Sequence, residues 1–467
     1  MLFSSMIFVW IFLPITILGN FILQKIGGNK AANILLLLAS LFFYAWGEPI
    51  YVVLMLISIT INWLSGLALS KFSNRKLILV VDILLNLGLL GYFKYMGMFV
   101  ETINAIFKGQ LAVPQIFLPI GISFFTFQAL SYAIDVYRKE TETQKNWFKL
   151  ALYVSFFPQL IAGPIVKYKD VSDQIDNRSI SLNQTASGIR RFSYGFAKKV
   201  LLANVLGLCA DKLYAIPIDS VTGSMAWIAS VAYTLQIYFD FSGYSDMAVG
   251  LGRMLGFEFK ENFNYPYMSL SIREFWRRWH ISLSSWFRDY VYIPLGGNRK
   301  GEGRTYLNLF IVFFLTGFWH GASWTFVFWG IYHGIFILIE RLGFNKILSR
   351  SKIISWLYCI FVVNFGWVFF RVDDIYRSLR YIRRLIRPWK YTVSNYSIFE
   401  FVNTHMLITI ILGILGSGII KLCGEKLGIR DKWKFSYAEI IYCVAIFFLS
   451  LLSLASSTYN PFIYFRF

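Results

Sequence analysis

Long stretches free of Asp, Glu, Lys and Arg dominate this chain. They run approximately over 5–24, 31–47, 50–70, 109–134, 150–166, 220–239, 305–339, 353–370, 401–420 and 440–465. The stretch 77–93 is interrupted only by Asp82. A helix that crosses a bilayer needs about 20 predominantly apolar residues. The pattern therefore predicts an all-α polytopic membrane protein of about ten spans. The first stretch lacks a small-residue cleavage site and reads as a retained helix, not a signal peptide.

Basic connections separate the apolar stretches, notably Arg138 to Lys149, Lys167 to Lys199, Lys260 to Arg304 and Arg371 to Lys390. Lys and Arg collect on the cytoplasmic side of a membrane. Too many connections are basic for strict alternation, so some apolar stretches are expected to be re-entrant, broken or half-spanning. Irregular backbone at that depth is tolerated only where protein or a water cavity surrounds it. Phe117-Leu118-Pro119-Ile120-Gly121 reads as one break, and Pro158, Gly163 and Pro164 mark another. No internal repeat is visible, which weighs against a secondary transporter built from repeats.

Composition agrees with the pattern. Of 467 residues, 57% are hydrophobic and 15% charged, against the usual quarter charged. A single integral-membrane domain over 1–467 is expected, with the lipid bilayer as its first partner. Net charge is +20, from 45 Lys and Arg against 25 Asp and Glu. Basic loops suit anionic lipid headgroups. No basic soluble domain is present to bind nucleic acid. Cys209, Cys359, Cys423 and Cys443 have no metal-ligand spacing and read as small buried hydrophobes; no metal site is expected.

Chemistry is carried by few residues. Only four histidines occur, His280, His320, His333 and His405. A histidine inside an apolar span is costly and is a functional candidate by default. His320 lies near the middle of 305–339. As one straight helix that stretch would be about 52 Å long, against a hydrocarbon core of about 30 Å. It must break, tilt or turn back, and Gly317 and Gly321 flank the histidine. Its imidazole suits general-base work on a hydroxyl; the alternative is a histidine hydrogen-bonded between helices. His333 follows by 13 positions, about 220° around an unbroken helix, and reads as structural, as does His405.

Gln236 and Asp240 are four apart and share a helical face, with Asp246 beyond them. Buried acids in a membrane need partners. An ion pair with the basic segment 265–300 is one reading; the other has Asp240 or Asp246 orienting the histidine or shaping a catalytic cavity. That segment mixes aromatic and basic residues, Phe275-Trp276-Arg277-Arg278-Trp279-His280 among them. It reads either as an interfacial helix with its rings at headgroup level, or as a cationic wall for a phosphorylated donor. No Walker loop, zinc spacing, dinucleotide glycine fingerprint or nucleophile elbow occurs.

Several strings then carry a resemblance. LPIGISFFTFQALSYAIDVYR at 118–138, YVSFFPQLIAGPI at 153–165 and LQIYFDFSGYSDMAVGLG at 235–252 are three of them. NFNYPYMSLSIREFWRRWHISLSSWFRDYVYIPLGGNR at 262–299, LTGFWHGASWTFVFWG at 315–330 and PFIYFRF at 461–467 continue it, with SLFFYAWGEP at 40–49. The chain resembles the membrane-bound O-acyltransferase (MBOAT) superfamily, in its bacterial branch of alginate O-acetyltransferase membrane subunits (AlgI-like). The resemblance implies about 10–12 transmembrane or re-entrant helices around a central tunnel, with core motifs at 118–330 and C-terminal helices at 353–467. It implies a bacterial inner-membrane enzyme with no bound cofactor, using acetyl-CoA or another acyl thioester from the cytoplasmic side. The acyl group would reach an exported or cell-wall polysaccharide through an extracytoplasmic SGNH or AlgX/AlgJ-type partner. His320 and His280 fall on the family's two histidine positions, His320 as the catalytic one. Asp240, Asp246, Gln236, Trp319, Trp324, Arg277 and Arg278 are the expected supporting or tunnel residues. D-alanyl transfer to teichoic acid and peptidoglycan O-acetylation are alternatives within the fold; a transporter or flippase without chemistry is the alternative of another class.

Overall fold

The computed structural model describes residues 1–428 and 436–463. The end of the 440–465 stretch and of the terminal motif at 461–467 therefore lies outside the described residues. The regular structure is helical, with no β-strand among the described residues. Among the described residues, seven helical segments are long and apolar enough to cross a membrane: Phe8–Ala45, Tyr51–Lys71, Arg75–Phe107, Trp324–Leu348, Lys352–Arg371, Thr404–Lys426 and Tyr437–Ser456. By packing, the chain forms two compact units, Met1–Phe192 with Ser245–Glu261, and Ser193–Tyr244 with Asn262–Phe467.

In the first unit, Phe8–Ala45 consists of two apolar arms that meet at Gly28. Its φ of 65° lies in the left-handed region that glycine enters without steric cost. The expected stretches 5–24 and 31–47 fall on those arms. Asn62 donates to Asn86 at 3.0 Å, joining Tyr51–Lys71 to Arg75–Phe107, and Ser58 adds a bond to Asn86 at 3.3 Å. Such bonds satisfy polar groups that hydrocarbon would leave unmet, and contribute roughly 0.6–2 kcal/mol each.

Three expected spans take another form. Residues 109–119 are irregular, and helix begins only at Ile122, after Pro119 and Gly121 (φ 78°). Ile122–Arg138 is buried along nearly its whole length, so it is a core helix. The 150–166 stretch is helical over Trp147–Ser155, then turns at Phe156 into the single turn Phe157–Leu160, which Pro158 opens. The 220–239 stretch continues as one helix of 32 residues, Gly223–Met254, and so carries Asp240 and Asp246 inside it. Cys423 is exposed and Cys443 half-buried, whereas Cys209 and Cys359 are buried as expected.

The 305–339 stretch breaks and turns back. Its first arm, Glu302–His320, ends on the histidine. Gly321 and Ser323 are extended on either side of Ala322, and the Ser323 hydroxyl accepts from the Thr325 amide to cap the second arm, Trp324–Ile339. The arms pack antiparallel at backbone contact. A Cβ on Gly317 would sit 2.4 Å from the Phe326 carbonyl oxygen, and one on Gly330 would sit 2.3 Å from that of Phe313. Helices in lipid approach this closely only through small residues. Gly317→Ala is expected to destabilise the protein by about 1–3 kcal/mol, because backbone must move to admit the methyl. A melting curve of the detergent-purified protein checks it; an unchanged midpoint would sink the close-contact account.

Candidate active site

The hairpin places His320 at a turn inside the second unit, 2% exposed. Aromatic rings enclose it edge-on, among them Trp319 at 4.9 Å between centroids, Trp329 at 5.0 Å and Phe370 at 5.3 Å. Trp319 also meets His280 at 6.1 Å, so one indole stands between the two histidines. Trp329 continues to His333 at 5.2 Å and to Trp276 at 5.6 Å. The premise that separated His333 from His320, an unbroken helix, does not hold. The chain reverses after His320 and brings His333 within one indole of it. His405 is exposed, at the start of Thr404–Lys426.

The basic and aromatic segment is not the single interfacial helix considered from the sequence. It forms two short helices, Ile272–Arg278 and Ile281–Phe287, separated at Trp279 and His280. Phe275, Trp276 and Trp279 are buried, with Trp279 4.8 Å from Trp367. Core packing against other aromatics therefore wins over the headgroup layer. His280 holds a φ of 42°, a strained conformation for a residue with a side chain. Asn262 fixes it there. Its Oδ1 accepts from the Ser282 amide at 3.1 Å and the Ser282 hydroxyl at 2.9 Å, and lies 3.1 Å from His280 Nδ1. Because that oxygen is identified by the amide donor, Nδ1 must carry the proton, and the lone pair is on Nε2. His280 lies outside the seven spans, and burial pushes it down to about 3, which keeps the ring neutral.

Two cavities in the second unit approach His320. One of about 730 Å³ is lined by Arg273, Arg277, Arg288, Arg341 and Lys346, with Trp276 and Thr316 also in its wall. Thr316 is one helical turn before His320, and Trp276 touches Trp329. Glu340 is the acid in this wall, and it is occupied: it accepts from the Ile272 amide at 2.6 Å and the Arg273 amide at 3.1 Å, at the start of the helix. The cavity thus has a strong positive balance. The second, of about 340 Å³, is lined by Asp211, Tyr233, Gln236, Phe326, Phe370, Arg371, Asp373 and residues 461–463. Phe370 faces it and also touches His320. His320 is one ring from the second cavity and two rings, Trp329 and Trp276, from the first.

The remaining expected residues separate. Arg277 lines the basic cavity, while Arg278 pairs with Glu274 at 2.7 Å. Trp319 is buried against His320, whereas Trp324 opens the second arm and is 51% exposed. Gln236 lines the smaller cavity. The acids take partners outside the 265–300 segment that the first reading named. Asp240 binds Lys199 at 2.6 Å and accepts from the Ile463 amide at 2.8 Å. Asp246 belongs to the first unit, where Arg191 lies 2.6 Å away and also bonds Glu261. Phe370, Trp329, Asn262 and Lys199 are not singled out by the sequence, whereas Trp276 belongs to its aromatic and basic segment. Of the four, only Lys199, a cation ending a polar run, carries a signal there. Among the described residues, no group of His, Cys, Asp and Glu is placed to hold a metal ion.

Comparison with known proteins gives this arrangement a family. The MBOAT, membrane-bound O-acyltransferase family model matches residues 138–379, which include both cavities' main walls and both histidines. The chain is 39% identical over 494 aligned positions to the probable alginate O-acetylase AlgI of Pseudomonas putida, covering 100% of each. It is 44% identical to that of Pseudomonas aeruginosa, over 80% of this chain and 73% of the relative. It is 38% identical to the peptidoglycan O-acetyltransferase of Helicobacter pylori, over 83% of this chain and 80% of the relative. The chain belongs to the membrane-bound O-acyltransferase family, in its AlgI-like branch, and is a multi-pass membrane O-acyltransferase.

Proposed function

We propose that the protein transfers an acetyl group from acetyl-CoA, on the cytoplasmic side of a bacterial inner membrane, toward hydroxyls of an exported or cell-wall polysaccharide. The observation that carries this reading is His320 lying between a basic cavity and a smaller polar one. A phosphorylated donor suits the basic cavity, since guanidinium groups bind phosphate through charge-assisted, paired hydrogen bonds. The acceptor hydroxyl enters from the smaller cavity. His320 takes its proton as the oxygen attacks the thioester carbonyl, the C–S bond breaks, and the thiol leaves with a proton. Two substrates held on either side of one imidazole gain several kcal/mol from proximity alone. Asn262 and neutral His280 support the Trp319 face of the site. The relatives named for alginate and peptidoglycan acetylation support acetyl as the group and a polysaccharide as the acceptor, and an extracytoplasmic SGNH or AlgX/AlgJ-type partner completes the delivery.

The test uses the full chain in nanodiscs with acetyl-labelled CoA, alginate oligosaccharides and peptidoglycan fragments, with and without a partner acetyltransferase. Label on a glycan hydroxyl is the expected result. Turnover of only a D-alanyl carrier protein, or label that crosses without bond exchange, sinks the reading in favour of D-alanyl transfer or transport. The donor assignment has its own check. Arg273→Gln with Arg277→Gln is expected to raise KM for acetyl-CoA about tenfold, the loss of ~1.4 kcal/mol of binding. KM for S-acetyl-N-acetylcysteamine, which lacks phosphates, should stay within about twofold. Equal effects on both donors would place the phosphates elsewhere.

A further inference from the structure

Phe370 occupies the last turn of Lys352–Arg371, with its ring between His320 and the smaller cavity. It packs edge-on to Phe326 at 4.9 Å and to Trp329 at 5.0 Å. Its neighbour Arg371 pairs with Asp211 at 2.7 Å in the wall of that cavity, and Asp211 also accepts from the Tyr459 hydroxyl at 2.7 Å. Charged and polar walls of this kind hold water. One benzene ring therefore stands between a wet cavity and the imidazole assigned as the base.

That position creates a selection problem. Water is a small nucleophile present at high concentration, and a base that activates a sugar hydroxyl activates water equally well. In hydrolysis the water oxygen attacks the thioester carbonyl, the C–S bond breaks, and the two products are acetate and the free thiol. Chemistry at the reacting oxygen does not distinguish the two nucleophiles. Binding does: an acceptor gripped by the polar cavity has contact energy with which to move a packed ring, and a water molecule has none. We infer that Phe370 is the residue that makes this protein a transferase and not a thioesterase, by closing His320 to water until a bound acceptor displaces its ring. The inference rests on the proposed function, because it needs His320 as the base and the smaller cavity as the acceptor side.

The experiment measures thiol release from acetyl-CoA, without acceptor, by the full chain in nanodiscs. Phe370→Ala is expected to hydrolyse acetyl-CoA at least about tenfold faster than wild type, and Phe370→Leu, which keeps most of the bulk, to fall between them. Acetate formed per acetyl transferred to glycan should rise in the same order, a ratio that does not depend on the fraction of protein folded. Wild-type release as fast as that of Phe370→Ala, or an unchanged ratio in both variants, overturns the inference. Fast release that persists when His320→Gln is added to Phe370→Ala would show water reacting without His320, and overturns the inference together with the base assignment. A wild type that turns over no acetyl-CoA overturns the functional reading, and the barrier with it.

Discussion

His320→Gln is expected to lower acetyl transfer by about 10²–10⁴-fold, the range that a positioned general base contributes. Glutamine keeps a polar side chain of similar reach but has no lone pair basic enough to take a hydroxyl proton. The replacement sits in the same enclosure of Trp319, Trp329 and Phe370, so the aromatic walls persist. Donor binding in the basic cavity is separated from His320 by Trp276 and Trp329, and KM for acetyl-CoA should stay within about threefold. Initial rates with labelled acetyl-CoA across donor concentrations separate the two quantities. A fall in rate below about tenfold would assign His320 to packing and move the base elsewhere, with neutral His280 the next imidazole across Trp319. His280→Gln is the matched control. Its effect is expected to be smaller, because the Trp319 ring stands between His280 and His320.

The sequence made the apolar lengths legible, and with them the helical membrane class, because hydrocarbon demands long uncharged helices whatever their neighbours are. It also made the breaks legible where proline and glycine supply them, at 117–121, at Pro158 and beside His320. What it left open depends on contacts between distant positions. Lys199 precedes Asp240 by a helix and a loop, and nothing local pairs them. The angle between His320 and His333 holds only on a straight helix, and the turn at Gly321 to Ser323 removes that premise. Alternating aromatic and basic residues at 265–300 are compatible with a headgroup layer or a protein core, and only the presence of Trp329, Trp367 and His333 opposite decides for the core. Phe370 is one of 46 phenylalanines. Its place between a histidine and a cavity has no sequence signature at all.

Lys199→Met is expected to cost about 3–5 kcal/mol of stability, because it leaves the Asp240 carboxylate buried without its counter-charge. Lys199 and Asp240 are each 2% exposed at the side chain, so solvent screens neither. The pair also holds the C-terminal segment: Lys199 donates to the Pro461 carbonyl, and Asp240 accepts from the Ile463 amide. Asp240→Leu alone should cost a similar amount by stranding the ammonium. Replacing both removes two desolvated charges at once, and buried ion pairs exchanged for apolar residues are often neutral or better. The double variant should therefore lose much less than the sum of the two singles, a coupling of more than about 1 kcal/mol. Denaturant melts of the four proteins in one detergent give the cycle. Additive losses would mean that Lys199 and Asp240 are each held by other groups. Acetyl transfer adds a second axis, because residues 461–463 line the cavity assigned to the acceptor. If the pair serves that wall, the double variant should recover stability but not activity: methionine and leucine fill the space, yet neither can hold the Pro461 carbonyl or the Ile463 amide in place.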